Sequence, residues 1–365
     1  MQPTTQTYHR LRMLPRSLRR VAGPIFAALA VLAFAAGTAQ ASTLIIEGAG
    51  NGHGVGMSQD GALGYARHGA SDTAILAHYY TGTTIGQAPA NKLVRVLVGS
   101  KVVKVPLERY VRGVVSAEMP ASWPLAALEA QAIASRTYAL TADAGGSRFD
   151  VYSDTRSQVY RGVAAETAAT NAAVQATAGQ IVLYAGKPAT TYFFASSGGM
   201  TEDIENSFIG SPPQPWLRAV ADPYEDRTAS SWKASFSFHA AAARLRGLVR
   251  GSFRGIEVLT RGASPRIVSA EVLGSGGVMP ISGPQLAGAL GLASTWAYFS
   301  VKSATSIRRE PDRSGRAPGA AVPTPAAPAP GTPAVAAVST SPQGGAEAPG
   351  QAPATSSNTG GAAAG

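Results

Sequence analysis

Two segments of biased composition confine any folded core to the middle of this 365-residue chain. From about Glu310 onward, Ala, Pro, Gly, Ser and Thr dominate, and apolar residues larger than alanine nearly vanish. Such a segment cannot bury enough surface to offset the entropy lost on ordering, so we predict a disordered tail over residues 310–365. Residues 1–41 have the composition of an export leader. The folded unit is therefore expected within residues 42–309, as one large domain or two packed lobes.

The leader has three parts in a characteristic order. Residues 1–20 carry five arginines and no acidic residue, an apolar run follows from Val21 to Ala36, and Ala39-Gln40-Ala41 offers small residues for cleavage. This order is typical of a secretory signal peptide, and we predict a cut after Ala41 and a secreted, cell-envelope location. The apolar run is shorter than the about 20 residues of a spanning helix. An uncleaved anchor is the alternative, and it would be the protein's contact with a membrane.

Charge and cysteine content exclude several classes of function. Half of the formal net charge of +10 comes from the leader arginines, and the remaining positive balance favours anionic surroundings such as wall polymers. The middle of the chain has no Lys/Arg-rich block and no nucleic-acid motif, so nucleic acid is not an expected partner. The absence of cysteine excludes disulfides, thiol nucleophiles and cysteine–zinc sites. His53, His68 and His78 do not have the spacing of a zinc motif, and we predict no metal and no cofactor.

Hydrophobic patterns predict helices and strands without a regular βαβ alternation. Leu93–Val98 and Lys101–Val105 are predicted strands joined by a tight Gly99-Ser100 turn. A helix is predicted from Pro106 to the residues before Pro120, because the residue preceding a proline leaves the helical region. Further helices are predicted over residues 59–67, 122–142 with Ser122 as its cap, and 164–178, and further strands over residues 181–184, 190–194, 253–259 and 267–273. The predicted fold class is α+β with mostly antiparallel strands.

Glu118, at the end of the helix before Met119-Pro120, is the candidate acid/base residue. The carbonyl end of a helix carries partial negative charge, and apolar neighbours such as Val115 and Trp123 add desolvation. Both effects raise the pKa of a carboxyl group, and the general acid of a glycoside-cleaving enzyme must keep its proton near neutral pH. From the local sequence alone, a surface glutamate at a frayed helix end is the favoured alternative.

The helix after Trp123 carries a second set of candidates. Gln131, Ser135 and Tyr138 share one helical face by their spacing. Arg136 points roughly 140° away from Gln131 and is equally consistent with a buried ion pair.

Two glycine-rich segments complete the candidates. The turn from Ser196 to Gly199, followed by Glu202, comes directly after a predicted strand and is expected to present hydroxyl and N–H groups to a sugar. An ordinary tight turn is the alternative there. The segment from Gly52 to Gln59 contains His53 and lets the backbone approach a substrate, but it lacks the lysine of a phosphate-binding loop.

Taken together, these segments resemble the SpoIID/LytB family, the group of stage II sporulation protein D and the amidase enhancers. The resemblance covers about Gly48 to Trp232 and is carried by Glu118-Met119-Pro120, Trp123-Pro124, Ala130-Gln131-Ala132, Ser135–Ala139, Gln158–Gly162, Ser196–Gly199 with Thr201-Glu202, Gly52–Gln59 and His78–Gly82. Members of the family usually carry the segment equivalent to Gly52–Gln59 near the end of the domain. Here it precedes Glu118, as in a circular permutation, which keeps a site if the segment packs in the same place. The cysteines that some relatives use for zinc are absent.

The resemblance implies a peptidoglycan lytic transglycosylase, which cleaves between N-acetylmuramic acid and N-acetylglucosamine and leaves an anhydro end. Glu118 is then the general acid, and next the base toward the muramyl 6-hydroxyl. The implied substrate contacts or their supports are Gln131, Arg136, Tyr138, Ser196, Ser197, Gly198, Gly199, Glu202, His53 and Gln59. The competing implication is a non-catalytic, glycan-binding adaptor that enhances a separate cell-wall amidase, and a structural envelope protein is a third alternative. Peptidoglycan glycan strands are the expected partner in the first two cases.

Overall fold

The computed structural model describes residues 42–303 and the backbone of residues 307–309. The predicted leader and the predicted tail lie outside the described residues. The helices are α1 (Gln59–Arg67), α2 (Asp72–Tyr79), α3 (Leu107–Glu118), α4 (Leu125–Thr141), α5 (Ala168–Ala176), α6 (Ile204–Ser207), α7 (Phe238–Arg244) and α8 (Gly283–Leu290). The strands are β1 (Thr43–Ala49), β2 (Met57–Ser58), β3 (Thr84–Gln87), β4 (Leu93–Val98), β5 (Lys101–Pro106), β6 (Val151–Tyr152), β7 (Gln180–Tyr184), β8 (Lys187–Pro188), β9 (Phe193–Phe194), β10 (Ser231–Ser237), β11 (Phe253–Arg261), β12 (Ile267–Gly274), β13 (Gly277–Ser282), β14 (Ala297–Lys302) and β15 (Ile307–Arg309).

The strands form small sheets rather than one continuous sheet. Their orders are β10-β1-β14-β15, β11-β12-β13, β3-β7-β8, β5-β4-β6 and the pair β2-β9. The β2–β9 and β4–β6 pairings are parallel, and the other pairings are antiparallel. Together with the helices, this arrangement confirms the predicted α+β class.

Local sequence signals placed most of the elements correctly. The β4–β5 hairpin, α1 and α3 form as predicted, and α3 buries Leu107, Tyr110 and Val114 on one face. The predicted Ser122 cap is wrong: α4 begins after Pro124, which is extended at φ −54° and ψ 142° and makes no side-chain cap bond. The helix predicted over residues 164–178 is shorter, because Thr167 forms a capping box that fixes the start of α5.

Two hydrophobic cores lie within one compact unit of the chain. The first core surrounds α3 and α4 and includes Tyr110, Val114 and Ile133. The second lies between β1, the β11–β13 sheet and α8, and includes Ile46 and Leu286. The candidate site residues from α3 and α4 therefore project from the first core, which fixes their backbones.

Strand β1 lies between β10 and β14, although both of these strands come much later in the chain. Thr43, at the start of β1, is the register partner of Lys302, at the end of β14. Two antiparallel strands can be joined by a two-residue turn at such a pair.

This geometry predicts that a circularly permuted variant of the chain folds. In the variant, Lys302 continues through an Asn-Gly turn into Thr43, and the new ends lie between Pro89 and Ala90, which are both exposed. We expect its free energy of unfolding to lie within about 2 kcal/mol of the parent value, because every strand pairing except that of β14 with β15 is kept and the β1–β14 pairing becomes local. Circular dichroism and urea unfolding measure the difference. A variant that stays unfolded would show that the fold depends on the present order of its elements.

Candidate functional site

Glu118 is the last residue of α3, and its side chain is half-buried there. The helix stops because Met119 is extended, at φ −128° and ψ 142°, ahead of a proline. The Oε1 oxygen of Glu118 accepts a hydrogen bond from the backbone N–H of Val159 at 2.6 Å. Burial raises the pKa of Glu118, while the Val159 amide, the Gln59 amide and the charge of Arg161 act in the opposite direction. Glu118 therefore keeps its proton to a higher pH than an exposed glutamate does.

The N-terminal glycine-rich segment ends beside Glu118. Gln59 begins α1, and its Nε2 atom lies 3.5 Å from the backbone carbonyl oxygen of Glu118 and 3.3 Å from Oε1 of Gln131. The buried Gln131 donates in turn to Oγ of Ser135 at 2.9 Å. Gln59, Gln131 and Glu118 therefore come together, although Gln59 is far from the other two in the sequence.

Tyr138 lies two helical turns beyond Gln131 among other aromatic rings. Its ring centroid is 6.0 Å from that of Tyr192 and 6.4 Å from that of Phe193. All three rings are half-buried, and burial raises the pKa of Tyr138 to about 12. Tyr138 is therefore neutral at ordinary pH, and these rings offer apolar faces with a polar edge.

The Ser-Ser-Gly-Gly turn folds around two buried carboxylates that the sequence analysis did not identify. Glu225 accepts hydrogen bonds from the Ser196 hydroxyl at 2.8 Å and from the backbone N–H groups of Ser197 at 2.6 Å and Gly198 at 2.7 Å. The Ser197 hydroxyl donates to Asp222 at 2.9 Å. Both hydroxyls are buried, so the expectation that this turn presents them to a ligand is wrong. Their donors are already satisfied inside the protein.

Glycine is required in this turn for conformational reasons. Gly198 and Gly199 adopt φ values of +77° and +108°, which L-residues with side chains rarely adopt. A Cβ on Gly198 would also lie 3.0 Å from the backbone nitrogen of Gly50. The two glycines therefore let the turn pack closely against the end of β1.

Glu225 also connects the turn to the start of α1. Ser58 donates to Glu225 at 2.7 Å and accepts the backbone N–H of Gly61 at 3.1 Å, which caps α1. Because Gln59 follows Ser58 directly, one buried carboxylate fixes both the turn and the helix end that contacts Glu118. No periodic pattern or motif marked Glu225 in the sequence, and its partners lie far away along the chain.

Two of the predicted contact residues are enclosed by protein groups. Arg136 has no exposed surface, and its Nε and NH2 atoms each lie 2.8 Å from Glu108, near the start of α3. Glu202 has no exposed surface either, and it accepts the Ser264 hydroxyl at 2.6 Å and backbone N–H groups of residues 263–264 at 2.9 Å and 3.1 Å. Direct sugar contact does not fit this burial, so we assign both side chains a supporting role.

His53 packs as a neutral aromatic ring. Its Nδ1 accepts the backbone N–H of Val55 at 3.1 Å, and its centroid lies 5.4 Å from Phe194 and 5.1 Å from Phe208. Burial and the charge of Arg266 lower the pKa of His53 to about 4. This ring therefore stays uncharged at physiological pH and stabilises the glycine-rich segment by packing.

Residues 42–303 and 307–309, which the structure describes, contain neither a cluster of metal ligands nor a helix suited to span a membrane. In that part of the chain, no three His, Cys, Asp or Glu side chains lie together as a metal site would need. Over the same residues, no helix combines the length and the apolar character needed to cross a bilayer.

Asp222, one of the two buried carboxyl groups beneath the turn, has a raised pKa. Burial, together with the negative charge of Glu225, raises the pKa of Asp222 to about 7 from an ordinary value of 3.8. The folded protein therefore binds more protons at Asp222 than the unfolded chain between about pH 4 and pH 7. The contribution of Asp222 to stability must fall as the pH rises through that window.

Replacing Asp222 by asparagine tests this directly. Asp222→Asn resembles the protonated carboxyl group, so its free energy of unfolding should match the wild-type value at pH 4 and exceed it by on the order of 2 kcal/mol at pH 8. Urea unfolding at pH 4 and pH 8 measures the difference in free energy of unfolding between the variant and wild type. Groups that titrate alike in both proteins cancel in this difference. Asp143→Asn, at an exposed carboxyl group outside this site, is the control and should not show the added stability at pH 8. A difference for Asp222→Asn that does not change with pH would contradict the assignment.

Comparison with known proteins identifies the central part of the chain. The family model described as SpoIID, stage II sporulation protein, matches residues 99–184, which include Glu118 and Gln131. Stage II sporulation protein D of Bacillus subtilis is 33% identical over 175 residues, which is 43% of this chain and 50% of that protein. The amidase enhancer of Bacillus subtilis is 39% identical over 111 residues, 30% of this chain and 15% of the enhancer. An uncharacterized protein of Brachyspira hyodysenteriae is 38% identical over 136 residues, 36% of each chain.

The alignments thus span half or less of the length of these relatives. The segment that the family model matches includes the helix that ends at Glu118. Over its matched segment, the chain is similar to the SpoIID/LytB family, which includes stage II sporulation protein D and the amidase enhancer.

Proposed function

We propose that this protein is a peptidoglycan lytic transglycosylase that acts outside the cytoplasm on glycan strands, with Glu118 as its acid/base residue. One observation carries the proposal: Glu118 is half-buried at a helix C-terminus, its pKa is raised by burial, and one of its oxygens is held by a backbone amide. A carboxyl group in such surroundings can deliver a proton near neutral pH and take it back. The predicted leader supports the location, and the matched family supports the substrate class.

The proposed reaction uses the same carboxyl group twice, first as an acid and then as a base. The proton of Glu118 moves to the glycosidic oxygen while the bond from that oxygen to C1 of the muramyl residue breaks. The muramyl 6-hydroxyl then bonds to C1 and gives its proton to the Glu118 carboxylate, which closes a 1,6-anhydro ring and restores the acid. Because the muramyl 6-hydroxyl itself attacks C1, neither water nor a second carboxylate is required as the nucleophile. Among the described residues, the groups that shift the pKa of Glu118 include no acidic side chain.

The neighbouring residues have separate roles in this proposal. Gln59 lies beside Glu118 and carries a carboxamide suited to sugar hydroxyl or acetamido groups, while Gln131, which has no exposed surface, accepts a hydrogen bond from Gln59 and supports it. The half-buried rings of Tyr138 and Phe193 provide faces for packing a sugar. The Ser196–Gly199 turn and Glu202 act as supports that fix the position of α1 and of the loops around it.

A second function is favoured by the similarity to an amidase enhancer. In that case the same residues around Glu118 bind glycan without cleaving it, and the partner is a cell-wall amidase. The two functions share these residues but differ in whether Glu118 must exchange a proton.

Incubation of the purified protein with amidase-treated sacculi separates the two functions. Mass spectrometry of the soluble products should detect anhydro-muramyl ends if the protein is a transglycosylase. A parallel reaction measures the rate of a cell-wall amidase on intact sacculi with and without the protein. Stimulation of the amidase without any anhydro product would replace the enzyme proposal by the adaptor.

A further inference from the structure

The loop between β6 and α5 supplies the amide that contacts Glu118, and its position is fixed by several hydrogen bonds. The N–H of Tyr160 donates to the carbonyl of Ser153 at 3.1 Å, and the N–H of Arg161 donates to the carbonyl of Gly113 on α3 at 3.2 Å. Gln158 precedes these two residues in the chain, and its side chain turns inward and is 1% exposed. The loop is therefore held both by its own backbone and by one buried side chain.

Gln158 ties this loop to α4. Its Nε2 donates to the backbone carbonyl of Ser135 at 3.1 Å. Ser135 is also the residue whose hydroxyl accepts Gln131, and Gln131 in turn accepts Gln59. One turn of α4 thus anchors two groups that approach Glu118, the Gln59 carboxamide and the Val159 amide that follows Gln158 in the chain.

The two oxygens of Glu118 are not equivalent in this arrangement. Oε1 accepts the Val159 N–H at 2.6 Å, a short bond that favours the charged carboxylate. In a neutral carboxyl group the carbonyl oxygen is the better acceptor of an N–H, so this bond favours Oε1 as the oxygen without the proton. The exchangeable proton is therefore expected on the other oxygen, Oε2.

We propose that Gln158 is a positioning residue: by anchoring its loop to α4, it holds the Val159 amide on Oε1 of Glu118 and directs the exchanged proton to Oε2. The inference rests on the proposed function, because the choice of oxygen matters for catalysis if Glu118 exchanges a proton with the substrate. Gln158 itself touches no reacting atom and acts through Val159.

The test replaces Gln158 by methionine, which is similar in length and cannot donate to the Ser135 carbonyl. The primary measurement is the pKa of the Glu118 carboxyl, followed by carbon-13 NMR during a pH titration and assigned with Glu118→Gln. Weakening of the Val159 bond should raise the pKa of Glu118, move the pH optimum of product release upward and lower the rate by about tenfold. Gln175→Met, the same replacement at an exposed glutamine on α5, should leave the pKa and the pH profile unchanged.

The outcomes separate this inference from the proposed function. A folded Gln158→Met protein whose Glu118 pKa and pH profile equal those of wild type would overturn the positioning role. If the variant does not fold, Val159 is replaced by its α-hydroxy acid, which removes the N–H donor and keeps the side chain. An unchanged Glu118 pKa in that protein would equally overturn the inference. A different outcome is that Gln158→Met raises the pKa of Glu118 although the wild-type protein releases no anhydro product. That outcome would sustain the positioning role and remove the transglycosylase proposal.

Discussion

Glu118→Gln should lower the release of anhydro-muropeptides by about three orders of magnitude, which is the scale of a lost general acid/base. The amide has nearly the same shape as the carboxyl group, so the Val159 N–H can still donate to its oxygen. It has no acidic proton to give to the glycosidic oxygen and no charge with which to accept one. Binding of glycan strands should persist, because Gln59, Gln131 and Tyr138 are unchanged.

Product release is measured by mass spectrometry after incubation with amidase-treated sacculi, and binding by co-sedimentation with the same material. Glu129→Gln, at a partly exposed position on α4, is the control and should keep its rate within about twofold of wild type. Release by Glu118→Gln at the wild-type rate would remove Glu118 from the chemistry, and another residue would then have to supply the proton.

Glu202→Gln should destabilise the folded protein by about 3 kcal/mol. Besides Ser264 and Ala263, the Glu202 carboxylate accepts the backbone N–H of Asp203 and the carboxamide of Asn206, each at 2.9 Å. An amide nitrogen in place of one oxygen would face donors rather than acceptors. The cavity offers no room for rearrangement, since a Cβ at Gly262 would lie 2.3 Å from Oε2 of Glu202.

Urea unfolding measures this loss, and Glu205→Gln supplies the comparison. Glu205 pairs with Arg218 near the surface, with side chains 29% and 34% exposed, so its replacement should cost less than about 1 kcal/mol. If Glu202→Gln were as stable as wild type but bound glycan poorly, Glu202 would be a substrate contact after all, and the supporting role assigned here would be incorrect.

The sequence predicted those parts of the molecule that depend on neighbouring residues. The β4–β5 hairpin follows from alternation and a Gly-Ser turn, and the end of α3 follows from a proline. Local spacing was enough in these two cases. For Glu118 the local sequence alone favoured a surface glutamate, and the burial that raises its pKa depends on the packing of distant segments.

Long-range contacts could not be predicted in this way. The direction of the Ser196 and Ser197 hydroxyls is set by Glu225 and Asp222, which no motif marks in the sequence. The bond from Ser58 to Glu225 joins residues 167 positions apart. Nor did the sequence show that the Val159 amide would reach Glu118, since that contact depends on how the Gln158 loop packs against α4.

The position of β1 has a consequence for how the molecule is made. This strand pairs with residues 231–237 and 297–302, so the earliest segment of the unit has to wait for the latest ones before its backbone is satisfied. Loop closure over such separations is slow, and the second core cannot be completed before β14 has been synthesised. The buried residues of the first core end at Leu217, so that core can form while the second one still lacks a strand.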